Sequence, residues 1–484
     1  MPVPSFDPTM ITALLPEIGL LVLAGLVLLF DLLWPEERRR ALGWLTFVGL
    51  VVLIAAALVF SRPDGNNRLI WGGMLRQDWL GFVFSLLFLS GAALTALFAM
   101  DSSTIGQRGE FYLLMLAATL GMLLMASSAD LVMLYLAIET TSIPLYALAG
   151  FLTRQEKSSE AGLKYILFGA MTSAVMLYGF SLLYGFTGTT QIYTLAARLQ
   201  SGDLSVATLI GVGLLVLVGF GFKVSAVPFH FWAPDVYEGA PTPAAGFIST
   251  ASKAAGFAVL LRFLLAVFPA ELPYWTMAVA MISAITMVVG NFVALTQRNI
   301  KRLLAYSSIA HAGYILIGVA ASSAFGTSSA VFYLIAYLLT NLAAFGVVAV
   351  AGKALGSDEI SAYSGLSRRS PGLALALLAA LLSLGGIPPF GGFVGKVLVI
   401  ASAVNAGLVW LAFLAILNSI VGLYYYLNVL KVVYLYRSEG DEQPLPLTRP
   451  WSIALVVCVA GILLLGTFFA PWYNWSMTAA AGLF

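Results

Sequence analysis

Apolar runs of roughly 20 residues, the length an α-helix needs to cross a hydrocarbon core of about 30 Å, recur along the whole chain between short polar breaks. The pattern predicts fourteen spans, at 11–33, 42–60, 79–100, 111–127, 130–152, 160–185, 204–232, 243–268, 273–296, 302–322, 328–350, 371–403, 405–436 and 451–472. Connections as short as Ser127-Ser128-Ala129-Asp130 leave no room for a soluble domain. The longest less apolar stretch, 186–203, carries Leu195-Ala196-Ala197-Arg198-Leu199 and is expected along the membrane surface. The expected fold is therefore all-α and polytopic, a single membrane domain over 1–484.

Two spans read as broken. The seventh, 204–232, is too long for one straight crossing, and Lys223 precedes a break at Val227-Pro228-Phe229. The twelfth, 371–403, contains Gly385-Gly386-Ile387-Pro388-Pro389-Phe390-Gly391-Gly392, with Lys396 four residues further on. Backbone freed at membrane depth survives only inside protein or beside a water-filled cavity. Both lysines are thus expected beside hydrated gaps; the alternative is a passive proline kink with a lysine satisfied by carbonyls. Gly391-Gly392-Phe393-Val394-Gly395-Lys396 lacks the spacing and the following Ser/Thr of a phosphate loop and sits in an apolar span, which rejects that reading.

Composition agrees with the pattern: 61% of the 484 residues are hydrophobic and 10% charged, against about 25% charged in globular domains. The net charge is +2 and no basic block gathers, so nucleic acid is excluded as a partner. A single cysteine, Cys458, and two histidines provide no metal cage and no disulfide, so neither a metal site nor a cofactor is expected in this chain. Met1 to Thr9 carries no positive n-region, so the first apolar run is expected as a span rather than a cleavable leader.

Charge distribution orients the bundle. Connections after odd-numbered spans hold fifteen of the 24 basic residues, among them Arg38, Arg39, Arg40, Arg298 and Arg368; connections after even-numbered spans hold Arg62, Arg68, Arg76 and Arg198. The positive-inside rule makes the odd side cytoplasmic and places both termini outside.

The remaining basic residues, Lys164, Lys223, Lys253, Arg262 and Lys396, fall inside apolar segments. Each costs on the order of 2.5–3.5 kcal/mol at the bilayer centre unless it finds a partner, water or a route outward. Arg262, far along its span, is expected to snorkel to the outer interface, and Lys164, about one turn into its own, could do the same. Lys253 follows Pro243 by ten residues, about 15 Å of helix, where snorkelling fails. Glu139, nine residues after Asp130, is the acid at mid-depth.

The breaks also point to a repeat. Spans four to eight and nine to thirteen each place a Pro-Phe interruption in their fourth helix, and a shift of 168 superposes Tyr146, Leu148 and Gly150 on Tyr314, Leu316 and Gly318. Five helices per copy make the copies inverted. The expected division is helices 1–3 in 1–110, a first five-helix repeat in 111–268, a second in 273–436 and a last helix in 451–472. His311 falls near where the Glu139 region repeats and His230 lies at the first break; either could relay protons, and a plain packing role stays open for both.

The stretch Pro228-Phe229-His230-Phe231-Trp232-Ala233-Pro234-Asp235-Val236-Tyr237-Glu238-Gly239-Ala240-Pro241-Thr242-Pro243, followed by Ser252-Lys253-Ala254-Ala255-Gly256-Phe257, closely resembles the antiporter-like membrane subunits of respiratory complex I, the NADH-quinone oxidoreductase. The opening Leu15-Pro16-Glu17-Ile18-Gly19-Leu20 with Phe30-Asp31-Leu32 fits the same family, and the likeness covers the whole chain. Sister subunits that carry a glutamate where this chain has Lys396, or that continue into a long lateral helix, fit less well. The resemblance implies a proton-translocating role for Glu139, Lys164, Lys223, Lys253 and Lys396. It implies other membrane-arm subunits as partners, a bacterial inner membrane, and FMN, iron–sulfur clusters and quinone in partner subunits, with no redox catalysis by this chain alone. Burial penalises a lysine's charged form and a nearby carboxylate favours it, so movement of Glu139 relative to Lys223 would toggle proton affinity. Lys253 and His311 would pass the proton on, and Lys396 would hold it before release. The alternative is a subunit of a multisubunit cation/proton antiporter; a non-pumping spacer gains nothing from a series of buried lysines.

Overall fold

The computed structural model describes residues 9–65, 67–200, 204–268, 272–437, 443–445 and 447–484. The stretch before Thr9, on which the uncleaved-leader expectation rests, lies outside them, as does the end of the 186–203 stretch. Apart from one short hairpin the regular elements of the described residues are helices.

Thirteen helices are long and apolar enough to cross a membrane among the described residues: Leu15–Leu33, Glu36–Phe60, Trp79–Met100, Gly109–Ser127, Leu131–Ala149, Glu156–Thr187, Val206–Val224, Thr242–Val267, Tyr274–Ala294, Ile300–Ala320, Ala324–Leu355, Val409–Leu435 and Arg449–Thr467. The shorter pair Pro371–Gly385 and Gly391–Asn405 supplies the twelfth crossing in two halves, which makes fourteen. They are numbered spans 1 to 14 in chain order. Span 7 is likewise divided: Val206–Val224 ends at a loop, and Trp232–Gly239 continues beyond it.

The ends of the helices follow from local chemistry. Asp78 accepts from the amide of Gly81 at the start of span 3, and Asp130 accepts from Val132 and Met133 at the start of span 5. Asn299 does the same for span 10 and Ser323 for span 11, satisfying amide groups that the first turn leaves without partners. Spans 3, 8, 10 and 11 are buried on nearly every side and form the interior, whereas spans 1, 2, 6, 13 and 14 turn wide apolar faces outward. Spans 9 and 10 approach so closely that a Cβ on Gly290 would stand 2.5 Å from the Ala310 amide nitrogen.

Three elements depart from the sequence expectation. A β-hairpin pairs Arg68–Ile70 with Leu75–Gln77 in the connection after span 2. A helix, Ala470–Ala481, follows span 14, and Gly482 beyond it accepts from Arg76 Nη2 at 2.9 Å and Asn67 Nδ2 at 3.4 Å. Span 8 contains a π-helical turn, Ile248–Ser252, immediately before Lys253. The 186–203 stretch does form a short helix, Ile192–Gln200.

Candidate functional site

At the first break, Lys223 is the last residue but one of its half-span and is 5% exposed. Ser225 adopts a left-handed conformation (φ 59°), and Ala226 donates back to the Gly221 carbonyl, so the helix stops one residue past the lysine. A cation in a last turn faces the negative end of the helix dipole. Gly256 of span 8 packs against that stem; a Cβ there would lie 3.0 Å from the Lys223 Cβ. The Lys223 ammonium has no hydrogen-bond partner. Glu139, the ninth residue of span 5, lies within electrostatic reach of it and accepts a short hydrogen bond from Ser173 of span 6. The structure thus brings the expected acid and lysine together without joining them.

Lys253, twelve residues into span 8, is fully buried and donates to both the carbonyl (2.7 Å) and the hydroxyl (2.5 Å) of Ser308 on span 10. The next residue back, Ser307, makes a short hydrogen bond to Tyr426 of span 13. Tyr426 reaches His311 Nε2 at 3.2 Å, and His311 Nδ1 meets the Tyr333 hydroxyl at 2.8 Å. In a neutral imidazole one nitrogen donates and the other accepts, so the ring links its two phenols in one direction. One turn on, the face of Tyr314 lies 4.7 Å from the Lys396 ammonium, which donates to the Gly385 carbonyl at 3.2 Å. That carbonyl is free because the helix ends at Gly386, where φ is +81°. Lys253, His311 and Lys396 therefore share one buried polar axis across spans 8, 10, 12 and 13.

Two expected residues stand apart. His230 is in the first break, with Nδ1 unpartnered and its ring against Phe231. Lys164 sits at the odd side and is partly exposed; it pairs with Asp235 at 2.5 Å and Glu160 at 2.6 Å. Asp235 and Glu238, on the second half of span 7, also bind Arg302 at 2.7 and 2.8 Å, and Lys157 binds Glu238 at 2.7 Å. The carboxylates of the long sequence motif thus tether span 7 to spans 6 and 10.

The snorkelling expectation for Arg262 is corrected. It is 2% exposed, and its Nη1 and Nη2 bind Asp78 at 2.7 and 2.9 Å, with Tyr193 and the Ala126 carbonyl taking the other terminal hydrogens and Nε left without a partner. A bidentate carboxylate, contributed by the cap of span 3, offsets the desolvation that would otherwise drive the side chain outward. Sequence reasoning also missed Ser307, Ser308, Tyr314, Tyr333 and Tyr426. The signal available was polarity inside an apolar run, in Tyr306-Ser307-Ser308 and Tyr424-Tyr425-Tyr426.

A fourteen-span bundle with two broken helices and a buried lysine–histidine axis defines a class. The chain belongs to the family described as NADH:quinone oxidoreductase/Mrp antiporter, transmembrane, which matches residues 128–422 and so includes Glu139, Lys223, Lys253, His311 and Lys396. Within it, NADH-quinone oxidoreductase subunit N of Moorella thermoacetica is 43% identical over 460 residues, covering 95% of this chain and 96% of that protein. A chain of respiratory complex I from Thermus thermophilus with bound aureothin is 37% identical, with a TM-score of 0.79 over 95% of this chain and 98% of that one. A chain of the Mrp complex from Dietzia sp. DQ12-45-1b has a TM-score of 0.87 at 22% identity, covering 99% of this chain and 98% of that one, a likeness of fold alone.

Proposed function

We propose that this chain is a proton-translocating membrane subunit of NADH-quinone oxidoreductase, in which quinone reduction elsewhere in the complex drives protons along Glu139, Lys223, Lys253, His311 and Lys396. The observation that carries this reading is a pair of buried contacts on adjacent serines of span 10, Lys253 to Ser308 and Ser307 to Tyr426 and on to His311, beside Lys396. Hydroxyls and imidazole both accept and donate, so such a line hands a proton on when its ends change charge. The unpaired Lys223 beside Glu139 supports a switch: the ammonium gains most from the carboxylate when the two approach, and loses its proton most readily when they part.

Lys164 acts at the odd-side rim, where its pairing with Asp235 couples span 6 to the broken helix, and His230 lines the break itself. The paired breaks, each interrupting the fourth helix of its copy beside a lysine, support two inverted five-helix repeats over 111–268 and 273–436. The excess of basic residues on the odd side supports a cytoplasmic odd side in a bacterial inner membrane, with both termini outside. FMN, iron–sulfur clusters and quinone belong to partner subunits in this reading. The family name also covers Mrp antiporters; the 43% identity along almost the whole chain favours the quinone oxidoreductase branch.

The test is proton pumping by the intact complex in reconstituted vesicles at matched quinone turnover. Lys223→Ala and Glu139→Ala should assemble and pump far less than the native protein. Full pumping by both assembled variants would make the pair structural.

A further inference from the structure

On the odd side a groove of about 300 Å³ opens between spans 9, 10 and 13, with Gln297, Arg298, Glu359 and Asn428 at its mouth and Tyr425 on its wall. Tyr425 and Tyr426 are neighbours whose ring centroids are 4.4 Å apart, and Tyr426 belongs to the His311 line. Water entering the groove is thus one phenol away from the buried axis.

A phenol has one proton to give, and Tyr425 gives it to the Asn291 side-chain carbonyl at 3.1 Å. Asn291 is 1% exposed and held from several sides: the two hydrogens of its Nδ2 are shared among the Met287 carbonyl (3.0 Å), the Asn418 carbonyl oxygen (3.2 Å) and the Tyr314 hydroxyl (3.3 Å). Asn418, 3% exposed, is fixed in turn by its own Nδ2 on the Leu414 carbonyl at 3.0 Å. A carboxamide accepts hydrogen bonds on one atom and donates on the other, so it cannot take a proton and pass one on through the same atom as a hydroxyl does, or through its ring as an imidazole does. It interrupts a proton line while still satisfying the Tyr425 hydroxyl. Gly422 leaves room for the arrangement, since a Cβ there would come within 3.3 Å of the Asn291 oxygen.

We propose that Asn291 is a positioning residue that insulates the axis: by holding the Tyr425 proton away from Tyr426, it keeps His311 and Lys396 from exchanging protons with the odd-side groove. The inference rests on the reading of the axis as a proton path that also opens to the even side. An unguarded Tyr425 would then let a proton cross with no quinone turnover.

The experiment is passive decay of an imposed pH gradient, followed with a pH-sensitive dye in vesicles that hold the intact complex and receive no NADH. Asn291→Leu keeps similar bulk and removes the acceptor, so the gradient should collapse severalfold faster than with the native complex. Adding Tyr425→Phe removes the freed hydroxyl and should restore tightness. Asn418→Leu, which loosens Asn291 without replacing it, should give a smaller leak and serves where Asn291→Leu fails to assemble. A native decay rate in the assembled Asn291→Leu and Asn418→Leu complexes overturns the proposal, and so does a leak that Tyr425→Phe leaves unchanged, which reports loosened packing. The reading of the axis fails by a different assay, turnover-driven pumping of the Glu139 and Lys223 variants.

Discussion

Arg262 and Lys223 are both cations withdrawn from solvent, 2% and 5% exposed, yet the protein treats them in opposite ways. The Arg262 fork makes four hydrogen bonds, two of them to one carboxylate that also caps span 3 and takes Arg76 at 3.3 Å. The Lys223 ammonium makes none. Desolvating a cation costs several kcal/mol in either place. Around Arg262 that cost is offset on the spot, giving a fixed knot among the hairpin, spans 3, 4 and 8 and the helix Ile192–Gln200. Around Lys223 it is left open, and an ammonium without a settled partner is one whose proton can leave. Choice of side chain follows: the guanidinium holds its proton at any accessible pH, whereas an amine can part with one.

The largest effect that would break this contrast is at the knot. Arg262→Ala leaves Asp78 buried with only Arg76 at 3.3 Å as a countercharge, at a cost of up to about 3–5 kcal/mol. The complex should then be nearly absent from a native gel, and normal assembly would show that the pair carries no structural weight. Arg262→Lys should recover only part of the yield, because an ammonium cannot span both carboxylate oxygens.

Next comes the far end of the axis. Lys396→Met keeps most of the volume and Lys396→Arg keeps the charge without the readiness to release a proton, so both should assemble and both should pump poorly at matched quinone turnover. A Met variant that acidifies vesicles at the native rate would take Lys396 off the proton path. The smallest effect is expected at the rim. The Lys164 side chain is 36% exposed, and its removal as Lys164→Ala should alter stability by roughly 0.2–1 kcal/mol, read as a small shift in the thermal midpoint of the purified complex. Its effect on pumping should be milder than that of Lys253→Ala; equal losses would place the rim pair in the switch itself.

The spans were legible because a hydrocarbon core imposes one length on every crossing, and edges such as 42–60 and 79–100 agree with the helices to within a residue or so. The breaks were legible because proline and glycine interrupt a helix wherever they stand. What the sequence hid depends on contacts between distant spans. Asp78 and Arg262 are 184 residues apart, and nothing local marks an arginine near a helix end as tethered rather than snorkelling. The tyrosines of the axis look like ordinary apolar filling until Tyr426 meets His311 across 115 residues. The hairpin Arg68–Gln77 was missed because three-residue strands carry too little alternation to register, and the helix Ala470–Ala481 because it follows the last crossing with no break beyond Phe468–Phe469.

The hydrogen bond from Arg76 to the carbonyl of Gly482 has a consequence in biosynthetic time. Its two ends are separated by 406 residues, and at ribosomal speeds of about 5–20 residues per second the acceptor emerges roughly 20–80 s after the donor. During that interval every later span must enter the membrane while the hairpin at the second connection waits for its fastener. The even-side edge of the bundle is thus stitched last, by a residue that arrives after all fourteen crossings have been made.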